Sequence, residues 1–245
     1  MINPSLLRRR LFLVRHGESE ANLDKTVNAR LPDTQISLSP HGFEQAYAAG
    51  QALASHLSPD RRIRIFTSPY LRARQTAQKL EEALTDHGFT YDKREAIEIR
   101  EISFGLFDGI PDEDLHVTFP LEYAHYEKHK AFEGEFFAPM PLGESRCQVA
   151  DRVKGIFGTI LRDSSPTRPA PVRDFVIVSH GVTIRCFRMQ WLHYPWEWYE
   201  HEPNPRNCSI QLIEGESGYG ESQIFAGFVS RRSSTQERRE DGTIG

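Results

Sequence analysis

Three short runs, Leu11–Val14, Ile63–Phe66 and Phe175–Val178, are nearly continuous in apolar character where a half-exposed strand would alternate. Strands of that kind must be covered on both faces, which is the signature of a sheet buried between two layers of helix. A fourth run, Ile210–Ile213, and a shorter one, Ile97–Ile99, are further strand candidates. Helical spacing fills the intervals. Ser39-Pro40 supplies an N-cap and a first-turn proline, and Phe43, Ala46, Gly50, Leu53 and Leu57 then recur at helical spacing. Ser68-Pro69 reads as a second start of the same kind, followed by Ala73, Thr76, Ala77, Leu80 and Leu84. Val149, Val153, Ile156 and Ile160 mark a third helix, and Thr183–Leu192 a fourth. The alternation predicts a three-layer α/β/α sandwich with a mostly parallel central sheet.

The 245 residues are expected to form one domain over 1–228, with a cap-like insert at about 110–142 and a flexible, charged tail over 229–245. Ser164–Pro171 (SSPTRPAP) reads as a loop. With 30 basic and 34 acidic residues the net charge is -4, which argues against nucleic acid as a partner. An anionic ligand must then be held by a local basic pocket. No apolar run reaches the roughly 18 residues of a membrane span, and the stretch before Arg15-His16 is too short for a signal-peptide core. Cys147, Cys186 and Cys208 form no C-x-x-C and read as small buried hydrophobes in a reducing compartment, so a cytoplasmic protein without a metal or cofactor is expected.

The chemistry concentrates where strands end. LFLV is followed by Arg15-His16-Gly17-Glu18-Ser19, IRIF by Thr67-Ser68-Pro69, and FVIV by Ser179-His180-Gly181. Ligands of open α/β sheets bind at the carboxyl ends of strands. Taken singly, R-H-G and S-H-G are ordinary loop tripeptides; together they assemble two histidines and two arginines. Arg15 and Arg72 suit phosphate oxygens, and Arg72 falls in the first turn of its helix, where backbone donors also favour an anion. His16 is a candidate nucleophile if neighbouring arginines keep it unprotonated. His180 and Asn22 could donate to phosphoryl oxygens. Glu101, in REISFG, is the best candidate for a proton donor, provided burial raises its pKa.

LFLVRHGESEAN, TSPYLRARQTA, REISFGLFDG, LGES and VIVSHGVTIR, in that order, resemble the motifs of the histidine phosphatase superfamily, branch 1, the phosphoglycerate-mutase-like branch. The resemblance runs from about Leu11 to about Ile213. It implies that His16 is the nucleophile and carries a transient phosphoryl group. Arg15, Arg72, Asn22 and His180 would bind phosphate, and Glu101 would protonate the leaving oxygen and then activate water. Glu18, Ser19 and Gly181 are further pocket candidates. Gly143-Glu144-Ser145 reads as structural or pocket-lining, and Asn207-Cys208-Ser209 as a family feature. No metal is implied, since charged side chains can stabilise the transferring group.

The W-N and F-T-G-W stretches and the basic lid of metabolic mutases are missing, which favours hydrolysis of a small phosphomonoester. A phosphoglycerate-type mutase and a non-catalytic phospho-ligand binder stay open as alternatives. In place of the lid stands an aromatic insert over 115–142, with Phe119, Tyr123, Tyr126, Phe132, Phe136 and Phe137. It could cap the pocket or pack as a helical insert. Trp191, Tyr194, Trp196, Trp198 and Tyr199 read as core packing or a surface patch, with a substrate or subunit contact as the minor alternative; a homodimer is kept open.

Overall fold

The computed structural model describes residues 8–214 and 220–231. Six strands form one sheet in the order β3-β2-β4-β1-β5-β6: β1 (Arg10–Arg15), β2 (Ile63–Thr67), β3 (Tyr91–Glu95), β4 (Asp174–Ser179), β5 (Ile210–Glu214) and β6 (Gly220–Phe225). The first four in that order run parallel, with Leu13 opposite Ile177 and Phe66 also opposite Ile177. β5 is antiparallel to β1, and β6 to β5.

Helices α2 (Pro40–Ala54) and α3 (Leu71–Asp86) cover one face. Helices α6 (Arg146–Asp163) and α7 (Gly181–Leu192) cover the other. The protein is therefore a three-layer α/β/α sandwich, and the apolar runs have a direct cause. Phe12, Val14, Ile65 and Val178 pack toward α2 and α3, while Leu11, Leu13, Phe175 and Ile177 pack toward α6 and α7. Each such side chain contributes roughly 1.5–3 kcal/mol by leaving water. Ser39 caps α2 as expected, its hydroxyl accepting from the Gly42 amide.

Two expectations need correcting. Ile97–Ile99 is a single 3-10 turn, not a strand. Only Ile99 reaches the core; Ile97 is 58% exposed, so one buried side chain sufficed to give the run its apolar look. The helix after Ser68-Pro69 starts at Leu71, with Tyr70 at the cap position. Ser68 lies before the cap position, and its oxygen accepts from Tyr70 N at 3.3 Å while meeting His180 Nε2. Two strands escaped the reading, β3 (YDKRE) and β6 (GESQIF). Both lie at sheet edges, where polar and charged side chains replace the buried apolar pattern and discourage edge-to-edge association.

The aromatic insert is packed in part, with Leu121 and Phe132 exposed. It holds the short helices α4 (Leu115–Thr118) and α5 (Pro120–Glu133). Tyr126 and Phe136 are buried in a cluster with α6, α7 and α8 (Trp196–His201). Phe107 meets Tyr126 edge-on at 5.5 Å between ring centroids. Trp191 and Tyr199 are also buried, so this second aromatic group serves mainly as core. Residues 232–245 of the expected tail lie outside the described residues. The short helix α1 (Glu20–Leu23) completes the set, with Ser19 and Asn22 forming a reciprocal capping box.

At the amino end of the sheet, Asp174 is fully buried and accepts from Arg10 Nε at 2.9 Å and from Arg61 Nε at 2.8 Å. Removing one member of a buried charge cluster strands the others in low dielectric. Asp174→Ala is therefore expected to destabilise the fold by about 3–5 kcal/mol, read as a fall in the urea midpoint.

Candidate active site

The carboxyl ends of β1, β2 and β4 lie side by side, and each delivers one element of the site. His16 leaves β1 with its backbone N–H donating to Ser179 O at 3.0 Å. Gly17 follows, and a Cβ there would lie 2.5 Å from Gly42 O; only glycine lets this turn rest on the start of α2. His16 Nδ1 is 2.7 Å from Gly17 O. A carbonyl can only accept, so Nδ1 carries the proton and Nε2 keeps the lone pair. Burial, then the charges of Arg72 and Arg15, hold the His16 pKa well below its usual value. The ring is thus a neutral base with its tautomer fixed and the lone pair on Nε2.

His180 leaves β4 fully buried, with its ring centroid 5.2 Å from that of His16. Its Nε2 is 2.8 Å from Ser68 Oγ. That oxygen also accepts from Tyr70 N at 3.3 Å, and a hydroxyl can either give or take a hydrogen at Nε2. Nδ1 faces Glu101 Oε2 at 3.8 Å. Burial and the same arginines hold the His180 pKa well below the ordinary range.

Glu101 is only 9% exposed, and burial raises its pKa against the pull of Arg72. Its loop is held from several sides. Arg152 of α6 donates to the carbonyls of Glu98 (2.6 Å), Arg100 (3.0 Å) and Glu101 (3.0 Å). Glu144 binds Arg152 Nε at 2.8 Å and accepts from Ser103 N at 3.0 Å. Ser179 Oγ donates to Ile99 O and Thr183 Oγ1 to Arg100 O, at 2.8 and 2.7 Å. Gly143-Glu144-Ser145 thus acts as a brace: Glu144 fixes the Glu101 loop and Ser145 caps α6.

Arg72 enters from the first turn of α3 and forks onto the Asp33 carboxylate, Nη1–Oδ1 at 2.7 Å and Nη2–Oδ2 at 3.1 Å. Arg15 is half-buried, and its Nη1 donates to Pro205 O at 2.6 Å. Asn22 Oδ1 accepts from Ser19 N at 3.0 Å and Asn207 Nδ2 at 3.2 Å, which orients the amide with its NH2 end as donor. Asn207 Nδ2 also donates to His16 O at 3.1 Å, giving the Asn207-Cys208-Ser209 stretch a role in holding the His16 backbone.

These groups border a cavity of about 710 Å³. Arg15, His16, Ser19, Asn22, Arg72, Glu101 and Gly181 line it, while His180 sits below its surface. Glu18 does not line it. Its carboxylate is fully buried and accepts from Ser39 Oγ at 2.8 Å and from Arg231 N and Nη2 at 3.0 Å each, so it ties α2 to the segment after β6. The insert aromatics singled out above do not line the cavity; Phe104, Phe107 and Ile110 do.

Asp33 and Arg152 are the partners the sequence reading missed. Neither lies in a strand-end motif, and each acts through a residue distant in the chain. Cys186 and Cys208 are buried, and burial pushes the Cys186 thiol up to about 12, so it stays protonated and inert. Among the described residues no cluster of His, Cys, Asp or Glu has the makings of a metal site, and no helix is long and apolar enough to cross a membrane.

The profile of the histidine phosphatase superfamily, branch 1, matches residues 11–225. The chain belongs to this superfamily. Among histidine phosphatase relatives, the phosphoglycerate mutase-like protein AT74 of Arabidopsis thaliana is 36% identical over 87% of this chain and 67% of its own. The broad-range acid phosphatase DET1 of Saccharomyces cerevisiae is 26% identical over 84% of this chain and 85% of its own. The fold matches that of a mycobacterial glucosyl-3-phosphoglycerate phosphatase with a TM-score of 0.64 and 22% identity, covering 90% of this chain and 99% of that one.

Proposed function

We propose that this protein is a metal-independent phosphatase that hydrolyses a small phosphomonoester through a phosphohistidine on His16. The observation that carries the reading is the fixed tautomer of His16, whose Nδ1 is spent on Gly17 O and whose Nε2 is left as nucleophile. In the first step Nε2 bonds to phosphorus, the bond to the leaving oxygen breaks, and Glu101 gives that oxygen its proton. In the second step Glu101, now a carboxylate, takes a proton from water as the water oxygen bonds to phosphorus and the P–N bond breaks. Arg15, Arg72, Asn22 and His180 would donate to the phosphoryl oxygens throughout. Packing of the insert against α6–α8, where a mutase would keep a basic lid, supports water as the acceptor.

The pH dependence follows from the two shifts. Attack requires neutral His16, and its lowered pKa keeps it neutral well into the acid range. Protonation of the leaving group requires uncharged Glu101, and its raised pKa keeps the proton at a pH where an ordinary glutamate has lost it. Plotted against pH, kcat/KM should rise as His16 loses its proton, fall as Glu101 loses its own, and peak on the acid side of neutrality. An alkaline optimum would contradict this assignment.

The direct test is release of inorganic phosphate from p-nitrophenyl phosphate and from alkyl phosphates, with a chelator present. Chelator-resistant turnover is expected. Interconversion of 3- and 2-phosphoglycerate without phosphate release would assign the protein as a mutase instead.

A further inference from the structure

Beyond the phosphoryl end, the cavity wall carries Asp33, Asp108 and Asp112 beside Lys25, Arg72 and Arg206. Asp33, Asn28 and Asp108 line it, with Phe104 and Phe107. Asn28 Nδ2 donates to Asp108 Oδ1 at 3.0 Å, and the Gly109 backbone also donates to this carboxylate. Burial raises the Asp108 pKa, and the charge of Asp33 adds to the rise. The cations here are largely answered. Arg72 is forked by Asp33, and Lys25 pairs with Asp112 at 3.3 Å. Arg206 lines the cavity but is exposed to water. Below the reacting end of the same cavity, His180 Nδ1, on a fully buried ring, has no hydrogen-bond partner among the described residues and faces Glu101 Oε2 at 3.8 Å.

Resting on the phosphatase reading, we propose that Asp33 and Asp108 determine specificity: the enzyme takes phosphomonoesters with an uncharged, hydroxylated leaving group and turns away phosphoglycerate-type substrates. Once phosphate occupies Arg15 and Arg72, hydroxyls of the leaving group can donate to the two carboxylates. Phe104 and Phe107 cover its C–H faces. A substrate carboxylate in the same place would meet two like charges in a partly desolvated space, and such repulsion excludes a wrong partner more effectively than lost contacts do.

Glycerol 3-phosphate and 3-phosphoglycerate test this, since they share a three-carbon skeleton and differ chiefly in CH2OH against carboxylate. The full chain is assayed on both, with p-nitrophenyl phosphate as a generic substrate. Wild type should favour glycerol 3-phosphate by about tenfold or more in kcat/KM. Asp108→Asn, and separately Asp33→Asn, should each cut that ratio about threefold or more by raising turnover of 3-phosphoglycerate. Asp108→Asn leaves the Arg72 fork in place, so it answers even if Asp33→Asn disturbs phosphate binding. A merely structural role would lower both substrates together and hold the ratio constant. A wild-type ratio near one, or a ratio that neither variant moves, overturns the proposal while turnover of p-nitrophenyl phosphate leaves the phosphatase reading standing. No turnover of p-nitrophenyl phosphate overturns that reading and the specificity proposal with it.

Discussion

His16→Ala is expected to lower phosphate release on the order of 10⁴-fold or more, on every substrate that wild type accepts. The variant loses the atom that would bond to phosphorus, and no other side chain in the cavity is placed to replace it. Nothing nearby combines a free lone pair with this position. His180 Nε2 is taken by Ser68, and Cys186 stays protonated. The fold should survive, because the ring's polar contact is the local one from Nδ1 to Gly17 O. An unchanged urea midpoint would show this. The kinetic loss should be matched chemically. A rapid quench of wild type with substrate should trap a phosphoprotein that is labile in acid and stable in base, as a P–N bond is, and His16→Ala should trap none. Activity within tenfold of wild type would remove the covalent mechanism.

The parts of this site written in the sequence are those fixed by short-range rules. R-H-G after an apolar strand places His16 at a strand's carboxyl end whatever the rest of the chain does. The same holds for S-H-G and His180, and for Arg72 in the first turn of a helix. The sheet was legible where burial on both faces left continuous apolar runs, and illegible at its edges. There β3 and β6 carry Lys93, Arg94, Glu95 and Glu221, side chains chosen for water.

What the sequence does not display is the set of contacts that turn these residues into chemistry. Arg152 reaches the Glu101 loop from a helix some fifty positions later in the chain, and no local pattern marks it. Asp33 meets Arg72 only because the segment before α2 folds over the start of α3. Ser68 illustrates the converse. Read locally, Ser-Pro is a helix start; in the structure the helix begins at Leu71 and the Ser68 hydroxyl meets His180 Nε2. Glu18 has the motif position of a pocket residue, yet its buried carboxylate is consumed by Ser39 and Arg231.

Glu101→Gln is the variant that separates proton transfer from positioning. Glutamine keeps the size of the side chain, and its carbonyl can still accept from Ile102 N, as Glu101 Oε1 does at 3.0 Å. The Arg152 and Glu144 brace acts through backbone atoms and is untouched. What disappears is a proton that can be given and taken back. For an alkyl phosphate, whose alkoxide cannot leave unprotonated, kcat should fall about 10²–10⁴-fold. For p-nitrophenyl phosphate the leaving phenolate needs no proton, so phosphorylation of His16 should proceed while the second step, deprived of its base, stalls. The variant should therefore release a burst of nitrophenol close to one equivalent per site, followed by slow turnover, and should accumulate the acid-labile phosphoprotein. An equal loss on both substrates, with no burst, would mean that Glu101 shapes the cavity without handling the proton. Its burial against His180 would then be a matter of packing alone.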